Sequence, residues 1–190
     1  MMIKLPEIPF WFIRHGQTDY NLAGMAQGVL DVDLNQTGCA QAEQACPLLQ
    51  ERGITEIICS PMRRARETAD ILNQSLHLPI SYEPDLREAS FGDQEAMPLD
   101  SWFSEWVDGR YTPEKGESFA ALMMRVEAVL HRVLPTCKAP VLIVAHGGVF
   151  RAIRSIMGLP SDVRSANAAP QYCTPTAEGW QIHAAEAVEK

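Results

Sequence analysis

The sequence has no long apolar run. Its N-terminal stretch, MMIKLPEIPFWFI, is broken by two prolines, lacks a small-residue cleavage site and is too short to cross a bilayer, so neither an anchor nor a secretory leader is expected. Cysteine is sparse and odd in number. Cys39, Cys46, Cys59, Cys137 and Cys173 are scattered with no C-x-x-C, a pattern that fits neither a disulfide framework nor a zinc site and points to a reducing, cytoplasmic setting. The N-x-[ST] matches at Asn35 and Asn73 are then chance. No Walker loop, G-x-G-x-x-G or G-x-S-x-G is present, and no H-x-x-x-H or carboxylate cluster offers a metal site. There is no internal repeat.

Positive charge is also short. Sixteen Lys and Arg against 24 Asp and Glu leave a net charge of −8, which argues against non-specific attachment to nucleic acid or anionic membrane. An anion site in such a chain has to be a local concentration of arginine, histidine and backbone N–H. The apolar share of 46% and charged share of 21% describe an ordinary globule, and 190 residues suit one domain over 1–190 with a modest insertion.

Strand-like and helix-like segments alternate. PFWFI and ITEIICS suit strands, and VLIVAHGG is a β-branched run buried on both faces. TGCAQAEQACPLLQERG reads as a helix ending at Gly53, which Pro47 should kink or divide. RRARETADILNQS is a second helix, with Ala65, Ala69 and Leu72 at helical spacing. SFAALMMRVEAVLHRVL is a longer one capped by Ser118, and VFRAIRSIMG a fourth that ends at Gly158. Such alternation predicts an α/β fold: a mostly parallel central sheet flanked by helices on both faces, a three-layer sandwich. QYCTPT and GWQIHA read as a hairpin extending one edge, and residues 93–117 as an excursion over one end of the sheet.

In an open parallel sheet, ligands sit beyond the carboxyl ends of the strands. Polar residues gather at those ends here. Arg14-His15-Gly16 follows the first strand, Ser60-Pro61-Met62-Arg63-Arg64 the second, and His146-Gly147-Gly148 the VLIVA strand, while Leu86-Arg87-Glu88 follows the extended stretch ISYEPD. Each group alone has a plain alternative: a histidine at a strand end is more often structural, HGG can be a turn, and Glu88 can be a surface carboxylate. The basic start of RRARETA is disfavoured by the helix dipole unless an anion, or Glu67 and Asp70, offsets it. Co-occurrence at successive strand ends shifts the balance toward one anion-binding crevice. His77, His131 and His183, and the aromatics Trp102, Phe103 and Trp106, are read as packing or surface residues.

These motifs, in order from about residue 10 to residue 157, resemble the histidine phosphatase superfamily, whose best-known members are the cofactor-dependent phosphoglycerate mutases. RHGQTDYN resembles its opening motif, LNQTGCAQA the following helix start, CSPMRRARETA its second arginine motif, LREASFG its acid motif and VAHGGVFRAI its second histidine motif; KGES before the long helix also fits. The resemblance implies a phosphoglycerate mutase-like fold and a transiently phosphorylated His15. It implies that Arg14, Arg64 and His146 hold the phosphoryl oxygens, with Asn21 and the backbone of Gly147, and that Glu88 is the proton donor. Arg64 is selected over Arg63 because it immediately precedes the alanine. After Phe91-Gly92 the chain departs from the family pattern, with Asp93-Gln94-Glu95-Ala96.

The chemistry suits these residue types. Guanidinium groups bind phosphoryl oxygens in bidentate fashion and balance charge as it develops, which a lysine does less well. A neutral imidazole is a competent nucleophile near neutral pH, and neighbouring cations keep it unprotonated. The expected activity is metal-free hydrolysis of phosphate monoesters of small metabolites, with no cofactor. Two alternatives stand beside it, mutase-type phosphoryl transfer and a non-catalytic phosphate-binding module. The short excursion, whose only cations are Arg110 and Lys115, favours hydrolysis. A homodimer is compatible with the sequence, which does not determine the oligomeric state.

Overall fold

β1 (Phe10–Arg14) is apolar and buried at every position before its last, and its side chains divide by parity. Phe10 and Phe12 enter one core, Trp11 and Ile13 the other. The computed structural model that shows this describes residues 5–138 and 140–186, so the first four residues of the N-terminal stretch and both ends of the expected 1–190 domain lie outside it. β2 (Ile57–Cys59) and β4 (Leu142–Ala145) are likewise buried on both faces.

Helices cover each face. α2 (Gln36–Leu49) and α3 (Arg63–Leu76) bring Ala45, Leu49, Ala65, Ala69 and Leu72 against Trp11, Ile13, Ile57 and Val144. On the opposite face, α5 (Phe119–Val133) and α6 (Gly147–Ile156) pack Leu122, Val126, Phe150 and Ile153 against Phe10, Phe12 and Ile143. Phe12 and Phe150 stack with centroids 4.4 Å apart; burying one such ring contributes roughly 1.5–3 kcal/mol. The predicted three-layer α/β sandwich is therefore present.

The sheet has six strands in the order β3-β2-β4-β1-β5-β6. β3 (Ile80–Tyr82), β2, β4 and β1 run parallel. β5 (Gln171–Thr176) and β6 (Gly179–Ala184) form the expected hairpin, with β5 antiparallel to β1. Register places Arg14 opposite Ala145 and Cys59 opposite Val144. β1 and β4 thus end level, with β2 one residue short of them, and the residues that follow, His15, Ser60 and His146, leave the sheet as neighbours.

The structure corrects the expected boundaries in a few places. α2 is not divided, because Pro47 lies in its last turn, where the lost N–H removes a single bond and Gln50 N–H still reaches Cys46 O at 3.2 Å. The helix stops at Leu49 rather than Gly53, and the chain then turns through left-handed Glu51 and Gly53. α6 opens at Gly147, two residues before Val149. Ser118 caps α5 by accepting from Ala121 N–H. Within residues 93–117, α4 (Ser101–Val107) buries Trp106 edge-on against Phe91 and Phe119, at 5.0 and 5.1 Å between centroids. These aromatics are packing, as read from the sequence.

Candidate active site

The floor of the site is the end of β1. His15 is 2% exposed. Its Nδ1 lies 2.7 Å from Gly16 O, which can only accept, and its Nε2 lies 3.2 Å from Arg64 Nε–H, which can only donate. The proton therefore sits on Nδ1 and the lone pair on Nε2. Burial first, then Arg64 and Arg14, hold the imidazole well below its ordinary pKa, so the ring is neutral. The turn after it is fixed by close backbone approach. Gly16 N–H donates to Thr68 Oγ1 (3.0 Å), and a Cβ on Gly16 would stand 2.4 Å from Gly38 O.

His146 stands beside it with ring centroids 5.3 Å apart, as the register dictates. It is fully buried and also kept neutral, by burial first and then by Arg64, His15, Arg14 and Arg125. Its Nε2 meets Ser60 Oγ at 2.7 Å while its Nδ1 has no partner. Arg14 Nε is likewise buried and unpartnered, with Nη1 donating to Ser165 O at 2.9 Å. Of the four buried side-chain nitrogens without partners among the described residues, these two belong to the strand-end cluster, where a bound anion would satisfy a donor.

Arg64 is 1% exposed at the start of α3. Its Nη1 and Nη2 donate to Leu30 O (2.7 Å) and Gly28 O (2.9 Å), so the loop between α1 (Asp19–Leu22) and α2 is wrapped around this guanidinium. Burial lowers the pKa of both Arg14 and Arg64 to about 10, leaving them cationic at neutral pH. Arg63 instead faces out, pairing with Asp33 at 2.6 Å and sending its N–H to Asp31 at 2.8 Å. Those carboxylates, with Glu67 at 3.7 Å, offset the basic helix start, Glu67 being one of the two acids the sequence offered for that role.

Glu88 reaches the same space from the turn after Pro84–Leu86. Its Oε1 accepts from Ala89 N–H (3.0 Å) and its Oε2 from Gly148 N–H (2.9 Å). A Cβ on Gly148 would come within 2.4 Å of Glu88 Oε1, so a side chain there would push the carboxylate out of this position. The turn itself is clamped by Arg125 of α5. Its Nη1 donates to Asp85 O (2.8 Å) and Arg87 O (2.7 Å), its Nη2 to Glu88 O (3.2 Å), and Nε and Nη2 grip Glu117 at 2.7 Å each.

These groups border a cavity of about 290 Å³. Of the residues singled out from the sequence, His15, Arg14, Asn21, Arg64, Glu88 and Gly147 line it; His146 lies behind, in contact with His15 but off the wall. Asn21 uses its carbonyl oxygen to accept from Thr18 N–H and Asn167, both at 3.2 Å, which leaves its amide N–H groups for a ligand. Sequence reasoning missed Gln27, Arg151, Arg164 and Ser165. For Gln27 the available signal was an amide within the glycine-bearing stretch Gly24–Gly28. The arginines carried none. The excursion's only cations, Arg110 and Lys115, pair with Asp108 (2.7 Å) and Asp93 (3.2 Å) and do not line the cavity. Among the described residues, no group of three or more His, Cys, Asp or Glu is placed to hold a metal ion, and no helix is long and apolar enough to cross a membrane.

A mostly parallel α/β sheet presenting a neutral buried histidine, two arginines and a carboxylate at its strand ends defines a phosphoryl-binding protein of the phosphoglycerate mutase-like fold. The chain belongs to the histidine phosphatase superfamily (branch 1), whose family model matches residues 10–186. It is 35% identical over 175 residues, 90% of each chain, to the uncharacterized phosphatase PhoE of Bacillus subtilis. It is 38% identical over 165 residues to a probable phosphoglycerate mutase, GpmB, of Escherichia coli, covering 80% of this chain and 75% of that one. Among solved structures it resembles a mycobacterial glucosyl-3-phosphoglycerate phosphatase in complex with VO3, with a TM-score of 0.81 and 26% identity over 92% of this chain and 97% of that one. The alpha-ribazole phosphatase of Shigella flexneri superposes with a TM-score of 0.80 and 27% identity, covering 96% and 100%.

Proposed function

We propose that this chain hydrolyses phosphate monoesters of small metabolites in two metal-free steps through a phosphohistidine at His15. The observation that carries the reading is the imidazole at the cavity floor: neutral, with its proton anchored on Gly16 O and its Nε2 lone pair covered only by an arginine N–H. An arriving phosphate offers Arg64 Nε a better acceptor and so uncovers Nε2. Arg14, Arg64, the Asn21 amide and the Gly147 N–H then receive the phosphoryl oxygens, with His146 backing the His15 ring.

In the first step the Nε2 lone pair forms an N–P bond as the ester P–O bond breaks. Glu88 gives its proton to the departing oxygen. In the second step water attacks phosphorus, the P–N pair returns to Nε2, and Glu88 takes the water's proton. Alcohol and phosphate leave, and the protein is unchanged. The same carboxylate serves twice because Gly148 N–H and Ala89 N–H hold it in one place.

The chain works as one domain in this reading, with residues 93–117 lying over the cavity; Leu99 and Phe103 on the cavity wall support that placement. The names of the PhoE-type and glucosyl-3-phosphoglycerate relatives support hydrolysis. A mutase reading draws on the GpmB-type relative and on Arg151 and Arg164 at the cavity. Release of free phosphate from 3-phosphoglycerate, against its conversion to the 2-isomer, separates the two.

The test is turnover of p-nitrophenyl phosphate in excess chelator, with acid-labile phosphate trapped on the protein during turnover. Both are expected in the wild type, and His15→Ala is expected to lose both. Activity that needs added metal would overturn the mechanism. Phosphate binding without turnover would favour the non-catalytic module.

A further inference from the structure

Four guanidiniums, Arg14, Arg64, Arg151 and Arg164, line the cavity against one carboxylate, Glu88. That excess of positive charge is conspicuous in a chain of net charge −8. A phosphate monoester carries about two negative charges near neutral pH, as protein phosphoesters do, which Arg14 and Arg64 already answer. Arg151 and Arg164 remain.

Their placement is defined. Gly147 sits against the Arg14 guanidinium, where a Cβ would lie 3.4 Å from Nε. Arg151 is four residues along α6 from Gly147, hence on the same face and about 5–6 Å further along the helix. Its guanidinium is held still. Nη1 donates to Ser161 O at 2.6 Å, and Cζ sits 5.3 Å above the Phe103 ring. No other nitrogen of Arg151 has a hydrogen-bond partner among the described residues, and Arg164, which is exposed, has neither hydrogen bond nor ion pair there. Burial lowers the Arg151 pKa most; Asp162 and Glu88 raise it, while Arg164 and Arg154 lower it as like charges. Asp162 offsets part of this charge from the exposed surface, outside the cavity wall.

We propose that Arg151 and Arg164 form a subsite for a second anionic group of the substrate, a carboxylate or a second phosphate carried about one helical turn from the reacting phosphorus. The proposal rests on the inner cavity being the phosphoryl site. It makes the preferred substrate a phosphomonoester with an acidic leaving portion, rather than a neutral sugar or alcohol phosphate. Apolar Leu99 and Phe103 border the space between.

Binding to the wild-type protein tests this without turnover. 4-Phosphonobutyrate, butylphosphonate and propane-1,3-bisphosphonate share a non-hydrolysable phosphonate and differ at the far end by a carboxylate, a methyl and a second phosphonate. Calorimetry is expected to show at least one of the doubly anionic ligands binding about tenfold or more tightly than butylphosphonate, the scale of one charge-assisted contact. The tighter of the two names the chemistry. In R151Q/R164Q the gap is expected to close to within about threefold. R164A repeats the measurement in a variant that loses no described fold contact, where a partial narrowing is expected. Equal affinities in the wild type, or a gap that survives both substitutions, overturns the subsite. Failure to hydrolyse p-nitrophenyl phosphate, which has no second anion, would instead count against the phosphatase reading alone.

Discussion

Glu88 can be separated from the rest of the site by the choice of leaving group. A nitrophenolate departs without much help from an acid, whereas an alkoxide does not. Glu88→Gln is therefore expected to lower turnover of an alkyl phosphate by about 10²–10⁴-fold. With p-nitrophenyl phosphate the same variant should still show a first-turnover burst, followed by a slow steady state, because water attack on the phosphohistidine also needs the carboxylate. Alkyl ester turnover within about threefold of wild type would remove Glu88 from the proton path. The residue scale is also where the choice of Arg64 over its neighbour is explained. Both begin α3, yet one points inward at 1% exposure while the side chain of Arg63 is 57% exposed. Adjacent helical residues point about a quarter-turn apart, and only the motif around the alanine made that distinction legible.

Among the elements, α5 does more than cover the sheet. Arg125 ties three carbonyls of the turn carrying Glu88 to Glu117, just ahead of the helix. Lysine has nearly the same helix propensity but no planar fork, so it cannot hold all these acceptors at once. Arg125→Lys is expected to reduce kcat on an alkyl phosphate by about tenfold with little change in KM. The burst with p-nitrophenyl phosphate should be spared, because the first step with that ester needs Glu88 least. Equal losses on both esters would mean that Arg125 serves the fold and not the placement of the carboxylate. Helix starts such as Ser118 were legible, since a cap is a local hydrogen bond. The effect of Pro47 was not. Whether proline breaks a helix depends on how many turns follow it, and that was settled by where α2 meets its end.

For the whole molecule, two buried neutral histidines set a pH dependence. His15 and His146 have folded pKa values well below those of the unfolded chain. Below about pH 6.5 the unfolded state takes up protons that the folded state refuses, so stability falls as pH drops and is flat above that point. Each group contributes a slope of up to about 1.4 kcal/mol per pH unit. Urea midpoints measured from about pH 5 to pH 8 should fall on the acid side, above the range where most carboxylates titrate. Replacing His146 with Gln should roughly halve that slope; an unchanged slope would show that other groups set it.

The alternating apolar strands, the helices with their caps, and the polar residues at strand ends were determined by the sequence alone. Burial on two faces and turn chemistry leave a pattern within a few residues, and here the pattern extended to a family likeness. Only the tertiary structure decided that His146 stands behind His15 rather than on the cavity wall, and that Arg151 and Arg164 join Arg14 and Arg64. Arg110 and Lys115, the excursion's own cations, are taken by neighbouring carboxylates. The field inside a cavity is a sum over groups brought from distant segments, and no local feature of the chain records which charges will face the same space.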